Sequence, residues 1–201
     1  MKFILFPWIF LSSLLLSACI TNTALTPATT KSESWPARQA TLNQLQTWTI
    51  KGIIAVRKDY KGVNAHLNWQ QQGDAYRIEL FGPLGINPVQ ITGTPQAVAL
   101  IAADNRIYRA NDAEKLVEER TGYVLPVSNL YYWIRGLPAP HISLTQQLDA
   151  RNRLSHLQQQ GWEINYIAYM PVQALELPRS IELTRDNILV KIIITEWKNH
   201  L

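Results

Sequence analysis

Cysteine and charge are both scarce in this sequence. One cysteine, Cys19, stands among 201 residues, so neither an internal disulfide nor a cysteine-rich zinc site is possible. Charged residues make up 17% of the chain, below the roughly 25% of an average soluble protein. The 19 Lys and Arg exceed the 15 Asp and Glu by four, and because no basic run occurs we expect no nucleic-acid partner. The 47% hydrophobic share leaves ample apolar surface for a folded core.

The common catalytic and metal-binding motifs are missing as well. The sequence contains no Gly-x-Ser-x-Gly elbow, no glycine-rich phosphate loop and no His-Glu-x-x-His. The four histidines, His66, His141, His156 and His200, are scattered without the spacing of metal ligands. We therefore predict no catalytic residue, no metal site and no cofactor, and expect that the protein is not an enzyme.

The N-terminus has the pattern of an export signal. A short positive start, Met1 and Lys2, precedes an apolar run at residues 3–16. This run of about 14 residues is shorter than the roughly 20 that cross a bilayer as a helix, so residues 1–18 are predicted to be a signal peptide. Its end, residues 16–19 (LSAC), resembles the lipobox of bacterial lipoproteins, in which the chain is cut before the cysteine and the cysteine is acylated. The alternative is ordinary cleavage that leaves Cys19 as a free thiol.

Acylation of Cys19 would make the protein a membrane-anchored one. Two or more acyl chains hold a protein stably, at about 0.8 kcal/mol per buried CH₂. Ile20 occupies the position where an aspartate commonly signals retention in the inner membrane, so the resemblance implies an anchor in the outer membrane, facing the periplasm. Residues 19–36 are then the acylated cysteine and a flexible tether, because Thr, Ser, Ala and Pro dominate there without a hydrophobic period.

Residues 37–201 are predicted to form a single, mainly β domain. Apolar spacing predicts helices over residues 37–48, 113–120 and 127–137, with Asp112 and Gly122 as caps of the second. Alternating apolar and polar residues predict a meander of antiparallel strands before and after these last two helices, and the final hairpin, residues 180–184 and 188–197, turns at residues 186–187. A sheet this long must curl or close. Its inward residues line either a packed core or a cavity under the helices, and alternation alone does not separate the two.

The loop at residues 81–88 (FGPLGINP) stands out between two strands. Pro83 and Gly85 flank Leu84, which predicts a sharply turned, projecting tip with the leucine at its apex. Leu84 either contacts a membrane or folds back onto the edge of the core. Burying one leucine contributes about 1.5–3 kcal/mol, which is too little to anchor a protein but enough to bias how a tethered domain meets a bilayer.

Several short motifs together resemble the LolB family of outer-membrane lipoproteins. They are the lipobox, residues 68–71 (NWQQ), residues 73–74 (GD), residues 76–77 (YR), residues 83–85 (PLG) and residues 133–138 (WIRGLP). Each motif is individually weak, but their order and spacing make a specific match from about Trp35 to the C-terminus. The resemblance implies an unclosed antiparallel β-barrel, a half-barrel, with an α-helical lid over a hydrophobic cavity. It also implies that Leu84, with Pro83 and Gly85, delivers cargo to the membrane.

The resemblance further implies a function without chemistry. Such a protein accepts acylated lipoproteins from a LolA-like periplasmic carrier and inserts them into the inner leaflet of the outer membrane, so carrier, cargo and outer-membrane phospholipid are its partners; we expect a monomer. Exposing each cargo chain to water would cost roughly 10 kcal/mol at 0.8 per CH₂, and passing chains from cavity to cavity avoids that cost without a nucleotide.

The candidate cavity residues are taken from alternation along the strands and from the predicted lid helix. They are Ile54, Leu67, Trp69, Ile78, Leu80, Ile91, Leu130, Trp133 and Ile134. Two other functions remain open: a general lipid- or hydrophobe-binding outer-membrane lipoprotein, and, with least support, a periplasmic hydrolase.

Overall fold

The computed structural model describes residues 33–85 and 87–199. The predicted signal peptide, Cys19 and most of the predicted tether lie outside the described residues. The helices are α1 (Trp35–Gln44), α2 (Ala113–Thr121) and α3 (Val127–Trp133). The strands are β1 (Thr47–Lys58), β2 (Lys61–Gln72), β3 (Ala75–Phe81), β4 (Val89–Thr94), β5 (Ala97–Ile101), β6 (Ile107–Ala110), β7 (Leu144–Leu148), β8 (Leu154–Gln159), β9 (Trp162–Val172), β10 (Leu175–Arg185) and β11 (Ile188–Asn199).

These strands form one antiparallel sheet in the order β6-β5-β4-β3-β2-β1-β11-β10-β9-β8-β7. The first and last strands pair in its centre, so the chain folds as two meanders joined along β1 and β11. The edge strands β6 and β7 do not pair with each other within the described residues, and α2 and α3 lie in the connection between them. The prediction of an unclosed antiparallel half-barrel with helices across its open side is confirmed.

A bulge bends the central strand β1. The pairing of β1 with β11 shifts register between Lys51 and Gly52. A Cβ at Gly52 would lie 2.1 Å from the carbonyl oxygen of Ile193, so only glycine allows the two backbones to approach this closely. Bulges bend a strand and increase its twist, which helps so wide a sheet to curl.

The caps of α2 lie where the sequence predicts them, whereas the bounds of α1 and α3 differ from the prediction. Asp112 accepts a hydrogen bond from the backbone N–H of Lys115 (2.9 Å), and Gly122 closes α2 with φ 76°, as predicted. The helix predicted at residues 127–137 ends at Trp133, because the chain turns at the left-handed Gly136 (φ 78°). The helix predicted at residues 37–48 is also wrong at its end: α1 stops at Gln44, and Trp48 lies buried in β1.

Two strands differ from the sequence prediction for separate reasons. β10 begins five residues before the predicted position 180 and contains Pro178. The pairing with β9 shifts between Pro178 and Ser180, so this proline, which has no N–H to donate, occupies an irregular position in the ladder. β7 is a short edge strand in which Gln146 interrupts the face that Leu144 and Leu148 share, and it was not predicted.

The packed core lies under the concave face of β8–β11. Side chains from β8, β9, β10 and β11 meet α1 and α3 there. The largest fully buried side chains of this core include Trp133, Trp162, Leu154 and Leu157, and Trp48 of β1 is buried in the same cluster. Tyr166 adds a polar tie, because its hydroxyl donates to the carbonyl oxygen of Trp133 (2.9 Å). The helix α3 is thereby fixed to the second meander.

Candidate functional site

The other half of the concave face borders a cavity of about 570 Å³. Its walls are β1–β4 with Ile192 of the adjoining β11 on one side and α2, α3 and the segment between them on the other. Pockets for small molecules typically measure about 300–1,000 Å³. The wall is mostly aliphatic, and among the described residues it contains no charged side chain. Such a cavity suits a hydrocarbon chain and offers an ionic ligand no partner.

Seven of the nine candidate residues line this cavity: Ile54, Leu67, Trp69, Ile78, Leu80, Ile91 and Leu130. Trp133 and Ile134 are corrections, because they lie in the packed core instead. Both are fully buried, and the indole N–H of Trp133 donates to Oε1 of Gln159 (2.9 Å). The helix α3 stands on the boundary between cavity and core: Leu130 faces the cavity, and Trp133 faces the second meander.

The cavity opens beside the loop between β3 and β4. Val63, Pro83 and Asn87 line the cavity and are also exposed, so we call this opening the cavity mouth. The loop makes a single 3-10 turn, Pro83–Gly85, closed by a hydrogen bond from the N–H of Gly85 to the carbonyl of Gly82 (3.1 Å). The cavity therefore reaches solvent where the chain projects.

Leu84 stands at the tip of this loop and is 98% exposed. Its backbone has φ 59°, a conformation that L-residues other than Asn and Asp seldom adopt and that costs about 1 kcal/mol or more. The side chain does not fold back onto the edge of the core. A strained backbone that presents an apolar side chain to water needs an explanation outside the folding of this domain.

Trp69 lines the cavity and is held by a short chain of hydrogen bonds. Its indole N–H donates to Oε1 of Gln71 (2.9 Å), and Nε2 of Gln71 donates to the carbonyl of Gly73 (2.8 Å). The ring lies 5.2 Å from that of Trp48, centroid to centroid. The motif at residues 68–71 and 73–74 thus fixes a tryptophan that lines the cavity and contacts Trp48 of the core.

Arg135 holds the lid side of the site together, a role that sequence reasoning missed. It is 1% exposed, and its Nη1 donates to the carbonyls of Leu42 (3.2 Å) and Leu45 (2.9 Å) at the end of α1. Its Nε donates to the carbonyl of Tyr131 (3.0 Å), and the guanidinium lies 4.0 Å from the centroid of that ring. Burial lowers the pKa of the guanidinium, although the nearby tyrosines favour its charge. The negative end of the α1 dipole replaces a carboxylate partner.

The attachments of α2 are lighter. Leu116 and Val117 are its buried residues, and Val117 lines the cavity. Oε1 of Glu114 accepts a hydrogen bond from the N–H of Ser128 at the start of α3 (2.8 Å). At the other end of the helix, the guanidinium of Arg120 lies 4.2 Å from the centroid of the Tyr108 ring. The two polar contacts, Glu114 with Ser128 and Arg120 with Tyr108, are partly or fully exposed. The hydrogen bonds of Arg135 to the end of α1, in contrast, are buried.

The ionisable groups around the site are not arranged for catalysis. Burial, with a smaller contribution from Glu114, raises the pKa of Tyr76 to about 12, and burial also raises the pKa of Tyr166 well above its usual value. His66 stacks on Phe81, and Nδ1 of His156 lies 3.0 Å from Oδ1 of Asn165; His200 lies outside the described residues. Over residues 33–85 and 87–199 no group of His, Cys, Asp and Glu is placed to hold a metal ion.

Comparison with known proteins identifies the family to which this chain is similar. A family model described as "Outer membrane lipoprotein LolB" matches residues 46–197. The outer-membrane lipoprotein LolB of Coxiella burnetii is 36% identical over 190 residues, covering 94% of this chain and 90% of that protein. The corresponding protein of Pseudomonas fluorescens is 39% identical over 164 residues, covering 82% of this chain and 80% of the relative.

Solved structures share the fold at low identity. A LolA-superfamily protein from Nitrosomonas europaea has a TM-score of 0.55 at 5% identity, covering 84% of this chain and 94% of that one. A DUF1329 family protein from Desulfovibrio piger has a TM-score of 0.50 at 7% identity, covering 83% and 91%. These likenesses concern the open, curved sheet alone.

The sequence resemblance is therefore confirmed, and with it the general function and location. The protein is an outer-membrane lipoprotein of the lipoprotein localisation pathway, with a receptor and insertion role, and it is not an enzyme. Its family implies interaction with a LolA-like carrier and with lipoprotein cargo. Within the described residues, no helix has the length and apolar character needed to cross a membrane. The chain belongs to the outer-membrane lipoprotein LolB family.

Proposed function

We propose that the cavity receives the acyl chains of lipoproteins from a LolA-like periplasmic carrier and that Leu84 guides their insertion into the inner leaflet of the outer membrane. The observation that carries this proposal is an uncharged, aliphatic cavity whose mouth lies beside a leucine that is 98% exposed. Acyl chains match the wall in chemistry, and the loop that carries Leu84 also contributes Pro83 and Asn87 to the mouth.

The transfer needs no energy source because the chains stay out of water. Exposing each acyl chain to water would cost roughly 10 kcal/mol. The cost stays small when the chain passes directly from an apolar site on the carrier to the apolar cavity of this protein. A modest difference in affinity between carrier, cavity and bilayer then sets the direction. Nothing in the lining is placed to bind a nucleotide, since it holds no charged side chain among the described residues.

Leu84 would act by entering the bilayer rather than by binding cargo. Burying one leucine contributes about 1.5–3 kcal/mol, enough to favour one orientation of a domain that is already tethered. Pro83 and Gly85 support this role because they hold the tip in its turn, with Gly85 at φ 75°. Outer-membrane phospholipid is thus a further partner of the loop.

The tether and the anchor complete the proposal. Residues 1–18 are removed, Cys19 is acylated, residues 20–36 span from the membrane surface, and residues 37–201 form the lipoprotein-binding domain. We propose a monomer, and the sheet edges support this, because β6 and β7 are only 4 and 5 residues long and short edges resist pairing with another chain.

Transfer of acylated cargo tests the proposal. Residues 20–201, which omit Cys19, are mixed with a LolA-like carrier loaded with acylated lipoprotein, and the complexes are then separated. We expect the cargo to move to the new chain, while a cargo whose N-terminal cysteine is replaced should not. Cargo that stays on the carrier would contradict the proposal.

The role of Leu84 has its own test. Leu84→Glu should accept cargo as before but deposit much less of it in liposomes, because a carboxylate opposes entry into the bilayer. The matched control is Ile167→Glu, since Ile167 is 64% exposed on a strand away from the loop, and it should deposit normally. Unchanged deposition by Leu84→Glu would remove the membrane role of this leucine.

A general lipid-binding function is the second candidate, because the cavity volume lies within the range of small-molecule pockets. It predicts that free fatty acid or phospholipid binds as tightly as acylated protein. Competition between a fatty acid and acylated cargo separates the two functions: efficient displacement of cargo favours the general one.

A further inference from the structure

The β1–β2 hairpin projects beyond its neighbour β3. Phe81, the last residue of β3, pairs with His66, so residues 61–65 of β2 continue without a β3 partner. At about 3.3 Å per residue this extension measures about 16 Å. The hairpin is supported on its other side, where β1 pairs with β11 as far as Lys58, and Nδ2 of Asn187 donates to Oδ1 of Asp59 (2.6 Å).

The hairpin tip lies at the same end of the sheet as Leu84. Successive connections in an antiparallel meander alternate between the two ends, so the turn at residues 59–60 and the loop at residues 82–88 share one end. Tyr60 in this turn is fully exposed. Two projecting tips, one with an aromatic side chain and one with a leucine, thus stand on the side of the cavity mouth.

Three cations stand close to Tyr60 in the sequence, and the one acid between them, Asp59, accepts the hydrogen bond from Asn187. Lys58 and Lys61 are directly opposite each other in the pairing of β1 with β2, and Arg57 precedes them. Like charges in this position destabilise a sheet. Among the ion pairs between described residues, none includes any of these three cations. An anionic partner outside the domain would remove this repulsion.

The two lysines also stand next to the cavity. Side chains two residues apart on a strand share a face, so Lys58 lies on the face of Val56, and Lys61 lies on the face of Val63. Val56 and Val63 pair with each other and line the cavity. The two lysines therefore border the apolar pair Val56 and Val63 at the mouth. Such an arrangement can bind an anionic amphiphile, whose headgroup would contact the lysines and whose chain would contact the valines.

We propose that Arg57, Lys58, Tyr60 and Lys61 form a second membrane contact, which recognises anionic phospholipid headgroups and, with Leu84, turns the cavity mouth toward the bilayer. Aromatic side chains favour the headgroup region, and cations are attracted to an anionic leaflet. An acidic protein would satisfy the lysines as well, but it gives no reason for Tyr60 and Leu84 to be exposed on two separate tips. This inference rests on the proposed function, because orientation matters only if the cavity delivers its contents to a bilayer.

Vesicle binding by the unanchored chain tests the contact. Residues 20–201 contain Ser32–Leu201, which is a compact unit by itself. Their binding is measured by flotation with vesicles of phosphatidylethanolamine, with or without phosphatidylglycerol. We expect phosphatidylglycerol to strengthen binding, and Lys58→Gln with Lys61→Gln to weaken it by about fivefold for each cation removed. High salt should abolish the difference.

The control changes charge equally at another place. Arg77→Gln with Lys115→Gln removes two exposed cations that take part in no ion pair between described residues, from β3 and α2. It should bind the vesicles like the unaltered chain. An equal loss of vesicle binding in both double variants would mean that only net charge matters, and it would overturn the proposed contact. Vesicle binding by the unaltered chain that does not depend on phosphatidylglycerol would overturn it as well.

Cargo transfer keeps this proposal separate from the proposed function. The Lys58→Gln, Lys61→Gln variant should still accept cargo from the carrier in the absence of vesicles. Loss of that step with normal vesicle binding would assign the lysines to the carrier and overturn the membrane contact. If the unaltered chain accepts no cargo, the proposed function fails, whatever the hairpin does with lipid.

Discussion

The concave face of β8–β11 is filled with side chains, whereas the concave face of β1–β4 borders a cavity, although both follow the same alternation of apolar and polar residues. On the filled side, Leu42 of α1 and Trp133 of α3 are buried in one cluster with Trp162 and the other core residues. On the cavity side, α2 contributes the smaller Val117. The elements that cover the sheet, rather than the sheet itself, decide whether its inward residues become a core or a binding wall.

The two halves also differ in what they contribute to stability. Atoms that line a void lose the dispersion contacts that a packed neighbour would supply, so the cavity half is held less firmly. The filled half compensates with buried polar ties, of which Arg135 and Gln159 are the main ones. We infer that stability resides in the second meander and binding in the first.

Removing the buried arginine should have the largest effect on the filled half. Arg135→Met leaves the carbonyls of Leu42 and Leu45 without their donor, in a place that water does not reach. We expect a loss of about 3–5 kcal/mol in the free energy of unfolding, measured by urea denaturation. Arg77→Met, at an exposed position, is the control and should change stability by less than about 0.5 kcal/mol. Similar stability of both variants would contradict the role assigned to Arg135.

Truncating one leucine in each half should give unequal losses. Leu183 is fully buried in the packed core, and Leu67 lines the cavity. Leu183→Ala should cost about 2–5 kcal/mol, as core truncations do, whereas Leu67→Ala should cost about 1–2 kcal/mol because part of its surroundings is already empty. Urea denaturation of both variants measures the difference. Equal losses would mean that the cavity half is packed as tightly as the other.

Enlarging one alanine in each half should separate stability from binding. Ala65 lines the cavity, and Ala139 is buried beside Gln159. Ala65→Phe should leave the melting temperature nearly unchanged but reduce acceptance of acylated cargo, because the ring occupies the cavity. Ala139→Phe should cost about 1–3 kcal/mol through overpacking. If Ala65→Phe is strongly destabilised, or if it accepts cargo normally, the claim that Ala65 lines a cavity that receives acyl chains would be contradicted.

Much of the sheet could be predicted, because alternation and turn residues are local signals. The cap pair Asp112 and Gly122 and the turn at residues 186–187 are where the sequence indicates. The start of β10 could not be predicted, since Pro178 argues against a strand and only the irregular pairing with β9 accommodates it. Local sequence signals thus predict a helix or strand correctly when its tertiary contacts favour the same structure, and they fail when pairing with another strand overrides them.

The candidate site was predictable in part for the same reason. Alternation identifies inward residues on β1–β4, and all six strand candidates line the cavity. It does not show which face of α3 meets the core, so Trp133 and Ile134 were placed wrongly. The burial of Arg135 depends on carbonyls that lie 90 and 93 residues away in sequence, which no local pattern indicates.

The position of a bound acyl chain tests the account most directly. An acylated lipoprotein carrying a photoreactive group on its acyl chain is transferred from the carrier to this protein, irradiated, and the attached peptides are identified by mass spectrometry. The account predicts attachment to the wall formed by β1–β4 and α2, at residues such as Ile54, Leu67 and Ile78. Attachment confined to β7–β10 or to the convex face of the sheet would contradict it.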